Sequence, residues 1–288
     1  MTETKAMPGA DAVACKGWLR TYRWLLLRRA SQIGILALFL LGPLANVWIV
    51  KGTLTSSLTL DILPLTDPFV FAQTVFAGHV SSSEALVGVS LVVAFYALVS
   101  GRVYCSWVCP LNLATDFAAW LQQKLSINTA IVLPRNTRYW LIALAMVMAM
   151  VSGTLAWEQV NPVSVIHRGM VFGMGMAWLI LLAIILLDLL ISRRGWCGHL
   201  CPVGAFYSLL SRWSPLRVSA IAREQCDDCM DCFVVCPEPQ VIRPALKGEK
   251  EETRLIMSSQ CTNCGRCIDI CGKEVFRFAN RYKQHAGV

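Results

Sequence analysis

Eight of the thirteen cysteines in the 288-residue chain lie near its carboxyl end, in two runs with the same spacing. In each run the cysteines are separated by two, two and three residues, and Pro237 follows the first run. A doubled run of this form is typical of bacterial ferredoxins, in which each 4Fe-4S cluster takes three thiolates from one run and the fourth from the other. The spacing therefore predicts two clusters, one held by Cys226, Cys229, Cys232 and Cys271, the other by Cys261, Cys264, Cys267 and Cys236.

Zinc and disulfides are the competing interpretations of these cysteines. Paired Cys-x-x-Cys motifs also bind zinc, but a doubled four-cysteine run ending in Cys-Pro is not the usual zinc pattern. The spacings point to metal, and metal thiolates need a compartment in which thiols stay reduced. Gly272, and not proline, follows Cys271. Because proline shapes the turn and does not bind iron, this departure leaves eight predicted ligands.

Two further cysteine pairs share a second spacing. Cys105 and Cys109 precede Pro110, and Cys197 and Cys201 precede Pro202. Residues four apart on a continuing helix share one face, so the four thiols could converge as a further metal, cluster or redox-active site. In the alternative interpretation, small buried cysteines merely shape a helix end.

The two pairs belong to an internal repeat. Asp67-Pro68 stands 38 residues before the first pair and Asn161-Pro162 stands 36 residues before the second. Asp or Asn followed by Pro is a helix start, because the side chain caps the helix and Pro suits its first position. Repeats of this kind often enclose a site between their halves, so we expect a pseudo-twofold bundle of four helices.

The composition predicts a membrane protein. Hydrophobic residues make up 56% of the chain and charged residues 15%, and 22 of the 44 charged residues follow Pro202. Four apolar stretches, 30–50, 85–101, 139–157 and 171–191, are expected to cross the bilayer. Basic residues beside these stretches predict that both termini lie on the cytoplasmic side of a bacterial inner membrane. The partner expected from composition is the lipid bilayer, and no nucleic acid is expected.

The predicted fold class combines two parts. An all-α membrane bundle of four transmembrane helices is joined to a small α+β domain of the bacterial two-cluster ferredoxin type. The expected boundaries are a cytoplasmic segment at 1–29, the membrane domain at 30–201 and the cytoplasmic ferredoxin domain at 202–288.

Several polar residues are candidate proton acceptors. Loop residues of this kind are more often simply solvated. A carboxylate at the end of a span, as in Asp188, costs free energy unless it is paired, and Arg102, Arg193 or Arg194 could pair with it. An interfacial histidine with no role is as plausible for His199. The main candidates are His79, Glu84, Asp188 and His199, and the weaker ones are Asp61, Asp67, Glu158 and His167.

Motifs along the whole chain resemble the NapH family of ferredoxin-type membrane subunits of periplasmic nitrate reductase systems. The resemblance runs from about Lys16 to Phe278, and methylamine-utilisation ferredoxin-type proteins share the architecture. The motifs that carry it include Trp157-Glu-x-x-Asn-Pro-Val-Ser, Cys105-Ser-Trp-Val-Cys-Pro-Leu-Asn and Gly195-Trp-Cys-Gly-His-Leu-Cys-Pro-Val-Gly-Ala.

The resemblance implies a quinol dehydrogenase subunit. It would oxidise ubiquinol or menaquinol and pass electrons through a periplasmic NapG-like ferredoxin subunit, with a membrane tetrahaem cytochrome c or the nitrate reductase complex as further partner. Since the chain has no Cys-x-x-Cys-His motif, a c-type haem would belong to another subunit. The alternatives are a redox assembly or maturation factor for a periplasmic metalloenzyme and a structural membrane anchor.

Overall fold

A computed structural model describes residues 8–80, 82–100, 102–125, 127, 134–248 and 253–282. Gly101, the predicted end of the second span, lies outside these ranges. So do residues 1–7 and 283–288, the two termini that were predicted to be cytoplasmic.

The amino-terminal part consists of three helices, α1 (Ala10–Lys16), α2 (Trp18–Thr21) and α3 (Arg23–Ala45). Helix α3 contains Pro43 and is capped by Asn46, which has a left-handed backbone. The N–H of Asn46 donates to the carbonyl of Gly42, and the N–H of Val47 donates to that of Leu41. Only 17% of its most apolar window is buried in the protein, so α3 is not a core helix. Within the described residues it is the one helix long and apolar enough to cross a membrane.

The prediction of four transmembrane helices is wrong. The other apolar helices span Ser83–Val99, Thr137–Ser152 and Ala177–Ile191, so none exceeds 17 residues. At a rise of about 1.5 Å per residue they reach about 25 Å, whereas the hydrocarbon layer is about 30 Å thick. The first two of these helices end at residues with positive φ, Ser100 (φ 145°) and Gly153 (φ 64°). The third begins only after Gly173 and Gly175, which also have positive φ.

The segment after α3 folds into a small sheet. Three antiparallel strands pair in the order β1 (Val50–Gly52), β2 (Ser56–Thr59) and β3 (Leu63–Thr66). Ser56 pairs with Thr66 and Val50 pairs with Thr59. Gly88 lets the helix Ser83–Val99 approach this sheet, because a Cβ there would lie 2.9 Å from Thr66 Oγ1.

Two successive halves then repeat the same order of elements. The first comprises α4 (Pro68–Phe76), α5 (Ser83–Val99), a π-helical segment (Tyr104–Val108) and α6 (Leu111–Lys124). After α7 (Thr137–Ser152) and α8 (Ala156–Val160), the second half comprises α9 (Pro162–Phe172), α10 (Ala177–Leu186), π-helical segments at Leu187–Ile191 and Trp196–Leu200, and α11 (Pro202–Leu210).

The predicted helix starts are confirmed. Asp67 Oδ1 accepts hydrogen bonds from the N–H groups of Phe69 and Val70, and Asn161 Oδ1 accepts one from Val163. In both helices Pro occupies the first turn, where its missing N–H costs nothing.

The carboxyl-terminal part is a small α+β unit. Strands β4 (Leu216–Ser219) and β5 (Arg277–Asn280) pair antiparallel. Val218, Ile242 and Phe276 form the centre of its core. Between the strands lie α12 (Asp231–Val235), α13 (Ile242–Lys247) and α14 (Arg266–Ile270), together with single 3-10 turns at Arg223–Gln225 and Pro239–Val241.

This unit is tied to α3 at the start of the helix. Asp269 accepts hydrogen bonds from the N–H groups of Trp24 (3.1 Å) and Leu25 (2.9 Å). A carboxylate at a helix amino terminus accepts hydrogen bonds from otherwise unpaired N–H donors, and its negative charge interacts favourably with the positive end of the helix dipole. Lys16 Nζ adds bonds of 2.9 Å to the carbonyls of Ile268 and Cys271.

A buried ionic cluster joins the unit to the two halves. Asp116 on α6 binds the guanidinium groups of Arg266 (2.6 and 2.7 Å), Arg194 (3.0 Å) and Arg29. One carboxylate therefore connects α3, both halves and the small unit. Although burial alone would raise its pKa, the charges of the three arginines hold the pKa of Asp116 below its usual range.

Candidate iron–sulfur and thiol sites

The two cysteine runs fold into matching tight loops. In the first run Asp228 and Met230 have positive φ, and in the second run Asn263 and Gly265 occupy the corresponding positions with positive φ. Left-handed residues bend the chain sharply, so that closely spaced side chains turn toward one point. Each loop ends in a short helix, α12 or α14, that carries the third cysteine.

Each loop borders a cavity that also contains a cysteine from the other run. The first cavity, of about 20 Å³, is lined by Cys226, Cys229, Cys232 and Cys271. The second, also of about 20 Å³, is lined by Cys236, Cys261, Cys264 and Cys267. We refer to these as the first and second ferredoxin cavities.

The donor set of these cavities suits a cluster better than a single ion. All thirteen cysteines are free thiols. Among the residues that the structure describes, no three His, Cys, Asp or Glu side chains meet closely enough to hold one metal ion. Zinc requires its ligands within about 2.3 Å of one centre. A 4Fe-4S cluster instead binds four thiolates, each at a different iron, so separate thiols around a void fit it.

In the second ferredoxin cavity, basic side chains favour the thiolate form of Cys264 only, because burial raises the pKa values of Cys236, Cys261 and Cys267. Burial alone would raise the pKa of Cys264, but the charges of Arg28 and Arg266 bring this pKa below its usual value. In the first ferredoxin cavity, burial raises the pKa of Cys232 to about 12. Cys229 is exposed there, whereas Cys264 and Cys267 are buried. The first cavity therefore faces solvent and the second faces the helical halves.

The other four cysteines surround a third cavity, between the repeated halves. Its walls include Cys105, Cys109, Cys197 and Cys201. The sequence argument placed each pair on a continuing helix, and this is wrong. Each pair lies on a five-residue π-helical segment that ends in extended backbone at Cys109 or Cys201.

Corresponding residues of the two halves line this four-thiol cavity. Asp67 and Asn161, the helix-capping residues, lie in its wall, as do Tyr104 and Trp196. Tyr207 donates its hydroxyl proton to Asp67 Oδ2 across 3.0 Å. The buried indole N–H groups of Trp157 and Trp196 have no hydrogen-bond acceptor among the described residues.

The main proton-acceptor candidates are scattered. His79 is exposed and its Nε2 lies 2.9 Å from the carbonyl of Gly153. Glu84 is exposed in the first turn of α5. Asp188 is buried, and its Oδ1 accepts a hydrogen bond from the backbone N–H of Trp196. His199 is buried near Glu238 and the arginines around it, and burial lowers its pKa.

The proposed arginine partners of Asp188 are engaged elsewhere. Arg102 binds Glu238, Arg194 binds Asp116, and Arg193 donates to the carbonyl of Val234.

The weaker candidates include one buried group of interest. Asp61 forms an exposed pair with Lys51, while Glu158 contacts Asn161 Nδ2. His167 is buried against Phe39. Asp67 alone lies in the wall of the four-thiol cavity. Burial raises its pKa to about 6 despite hydrogen bonds from Val70, Tyr207 and Phe69.

Sequence reasoning missed Asp116 and Glu238. Glu238 follows the first run and accepts bonds from Arg102 (3.0 Å) and Arg138 (3.4 Å). The available signal was a set of isolated charges in apolar segments, which are costly unless paired. The arginines that bind them lie at least 78 residues away along the chain and could not be assigned from spacing.

Comparison with known proteins follows the same division of the chain. A 4Fe-4S binding domain family matches residues 84–128 and again 174–220, and a 4Fe-4S dicluster domain family matches residues 225–275. The Haemophilus influenzae ferredoxin-type protein NapH is 48% identical over 287 residues, which cover all of both chains. The chain belongs to the ferredoxin-type protein family that contains NapH and MauN.

Members of both names are similar to this chain over nearly its whole length. Escherichia coli NapH is 43% identical and covers 99% of each chain. The methylamine utilization ferredoxin-type protein MauN of Paracoccus denitrificans is 52% identical, covering 94% of this chain and 95% of its own. No solved structure matches the chain significantly. The chain is therefore an iron–sulfur protein of the electron-transfer type.

Proposed function

We propose that the chain is a membrane electron-transfer subunit that oxidises ubiquinol or menaquinol and holds one 4Fe-4S cluster in each ferredoxin cavity. The observation that carries the proposal is the crossing of the runs, because each cavity combines three cysteines of one run with one of the other. This is the ligand pattern of two-cluster ferredoxins. Clusters bound there would supply one-electron acceptance and donation.

The two ferredoxin cavities differ in their exposure to solvent and in the charge around them. The second ferredoxin cavity is buried against the helical halves, and the first is open to solvent at Cys229. Asp227, Asp228 and Asp231 line the first cavity together with Lys247, which pairs with Asp228, so the rim keeps a net negative charge. We propose that electrons enter on the helical side and leave at this rim, toward a partner electron-transfer protein.

Helix α3 supports membrane attachment. It is apolar and mostly exposed, begins with the basic residue Arg23 and is preceded by the basic residue Arg20. Basic residues beside a span favour the cytoplasmic side. We propose that α3 anchors the chain in the inner membrane, where quinols are dissolved, and that Asp269 fixes the ferredoxin unit at its basic end.

The terminal acceptor has two candidates. The NapH resemblance favours the periplasmic nitrate reductase, reached through a tetrahaem cytochrome c or directly. Identities of 50–52% to MauN proteins favour equally a role in supplying electrons for maturation of a methylamine dehydrogenase type enzyme. Deletion of the chain's gene in its host, followed by growth on nitrate and on methylamine, separates the two.

Rapid mixing of anaerobic, oxidised protein with a soluble ubiquinol or menaquinol analogue tests the quinol step. We expect the iron–sulfur absorbance to bleach as the clusters are reduced. Clusters that bleach with dithionite but stay oxidised with both quinols would contradict quinol oxidation and would favour the maturation role.

A further inference from the structure

The four cysteines around the four-thiol cavity come from both repeats, two from each. Each segment that matches a 4Fe-4S binding family contains two cysteines, whereas a 4Fe-4S cluster takes four thiolates. The structure places both pairs around one cavity. A Cβ built on Gly204 would lie 3.6 Å from Cys105 Sγ and 3.9 Å from Cys201 Sγ, so sulfurs of different pairs flank the same point.

We infer that Cys105, Cys109, Cys197 and Cys201 together hold one additional 4Fe-4S cluster, shared between the two halves of the repeat. The proposed function requires only the eight ferredoxin cysteines and stands without this third cluster.

The size and chemistry of the cavity fit such a group. Its volume is about 30 Å³, against about 20 Å³ by the same measure for each ferredoxin cavity. The indole N–H groups of Trp157 and Trp196 are buried in its wall without an acceptor among the described residues. Buried donors in native proteins nearly always find a partner. Sulfur atoms of a cluster accept such hydrogen bonds, which also tune its potential.

Charge also fits. Four thiolates and a cluster carry net negative charge, which is costly in an apolar cavity without a nearby cation. The guanidinium of Arg102 is buried and lies close enough to Cys105 for its charge to act on the thiol. Arg138 is buried and lies close enough to act on the same thiol.

The site lies directly against the second ferredoxin cavity. Ser106, next to Cys105, donates its hydroxyl proton to the carbonyl of Thr262 across 2.8 Å. Trp107 Nε1 donates to the carbonyl of Asn263 across 3.3 Å. Thr262 and Asn263 are the two residues between Cys261 and Cys264. The four-thiol cavity is therefore placed in series with the ferredoxin unit, on its helical side.

The test counts metal in anaerobically purified full-length protein. Three clusters of four irons predict about twelve irons and twelve acid-labile sulfides per chain. Cys109→Ser and Cys201→Ser should each lower the count to about eight and leave the paramagnetic resonance signals of the ferredoxin clusters intact. Cys15→Ser, at an exposed thiol outside all three cavities, is the matched control and should keep about twelve.

Other results overturn the inference. About eight irons in the wild type, with or without one zinc or copper, would exclude a third cluster, and so would a quinone bound in the cavity. If the serine variants fail to fold, native mass spectrometry of the wild type still decides by the mass of two clusters or three. None of these measurements depends on quinol oxidation. A negative result would therefore exclude the third cluster without contradicting the proposed function.

Discussion

At the residue scale, the most consequential side chain outside the cysteines is Asp116. It is 11% exposed and binds three arginines from three parts of the chain. Removing one partner of a buried ionic group is far more costly than the pair is worth, because the remaining charges stay buried and uncompensated. Its role is to hold the parts of the protein in one arrangement.

We expect Asp116→Asn to lower the free energy of unfolding by about 3–5 kcal/mol. The exposed pair of Asp61 and Lys51 provides the control, since Asp61→Asn should cost about 1 kcal/mol or less. Thermal unfolding of the wild type and of both variants in the same detergent measures the two losses of stability. Equal losses for the two variants would contradict a central role for Asp116.

The pH dependence of this difference follows from the lowered pKa of Asp116. A carboxyl whose pKa is lower in the folded state stabilises fully above its unfolded value of about 3.9, and this stability is lost as the pH falls through the folded pKa. The gap between wild type and Asp116→Asn should therefore stay constant from about pH 8 to about pH 5. A gap that narrows over that range would show that the carboxylate titrates there.

The crossing of the cysteine runs gives a second residue-scale prediction. Cys271 belongs to the second run by sequence but lines the first ferredoxin cavity. Cys271→Ser should therefore lose about four irons and give the same resonance spectrum as Cys226→Ser. A spectrum that matches Cys264→Ser instead would show that each run fills its own cavity.

At the element scale, the docking of α3 depends on one glycine. Gly265 has φ +73°, and a Cβ there would lie 2.6 Å from Trp24 Cγ and 2.8 Å from Trp24 Cβ. These atoms sit close to the α3 backbone, so the side chain cannot turn away from the added methyl group. The start of α14 and the start of α3 are thus fitted to each other.

Gly265→Ala and Gly153→Ala form a matched pair. Both glycines have positive φ, but nothing lies within 4 Å of a Cβ on Gly153. Each substitution pays about 1–2 kcal/mol for the left-handed backbone, and only Gly265→Ala adds about 1–3 kcal/mol of overpacking. Unfolding free energies that are equal for both variants would contradict the tight packing of α3 on α14.

Local chemistry explains which elements the sequence predicts. The Asp67-Pro68 and Asn161-Pro162 starts follow from capping within three residues, and the structure confirms them. The helix lengths do not follow, because hydropathy does not register breaks such as those at Ser100 and Gly153. The three-stranded sheet was missed because its strands are short and rich in Ser and Thr, which also suit a loop.

At the whole-molecule scale, the proposed membrane attachment depends on α3, because the prediction of four spans is wrong. The chain should remain in the membrane fraction after alkaline carbonate extraction, since burying a long apolar helix in lipid is strongly favourable. Charged substitutions at the exposed Leu38, Leu41 and Leu44 of α3 should release it. A wild-type protein recovered in the soluble fraction would contradict the anchor.

The association of distant parts could be predicted only in outline. Doubled cysteine spacings indicated cross-run ligands and a four-thiol site between two halves, because repeats and metal motifs are local patterns. The ionic contacts of Asp116 and Glu238, the cap from Asp269 to α3 and the contact of Ser106 with Thr262 join residues far apart in sequence. Such contacts are decided by packing, so composition and periodicity do not reveal them.

The most direct measurement is an anaerobic redox titration of the full-length protein in lipid nanodiscs, followed by electron paramagnetic resonance. We expect signals from at least two interacting 4Fe-4S centres, and we expect them to appear when menaquinol or ubiquinol is the only reductant. A protein that shows a single centre, or none, at every potential would contradict this expectation.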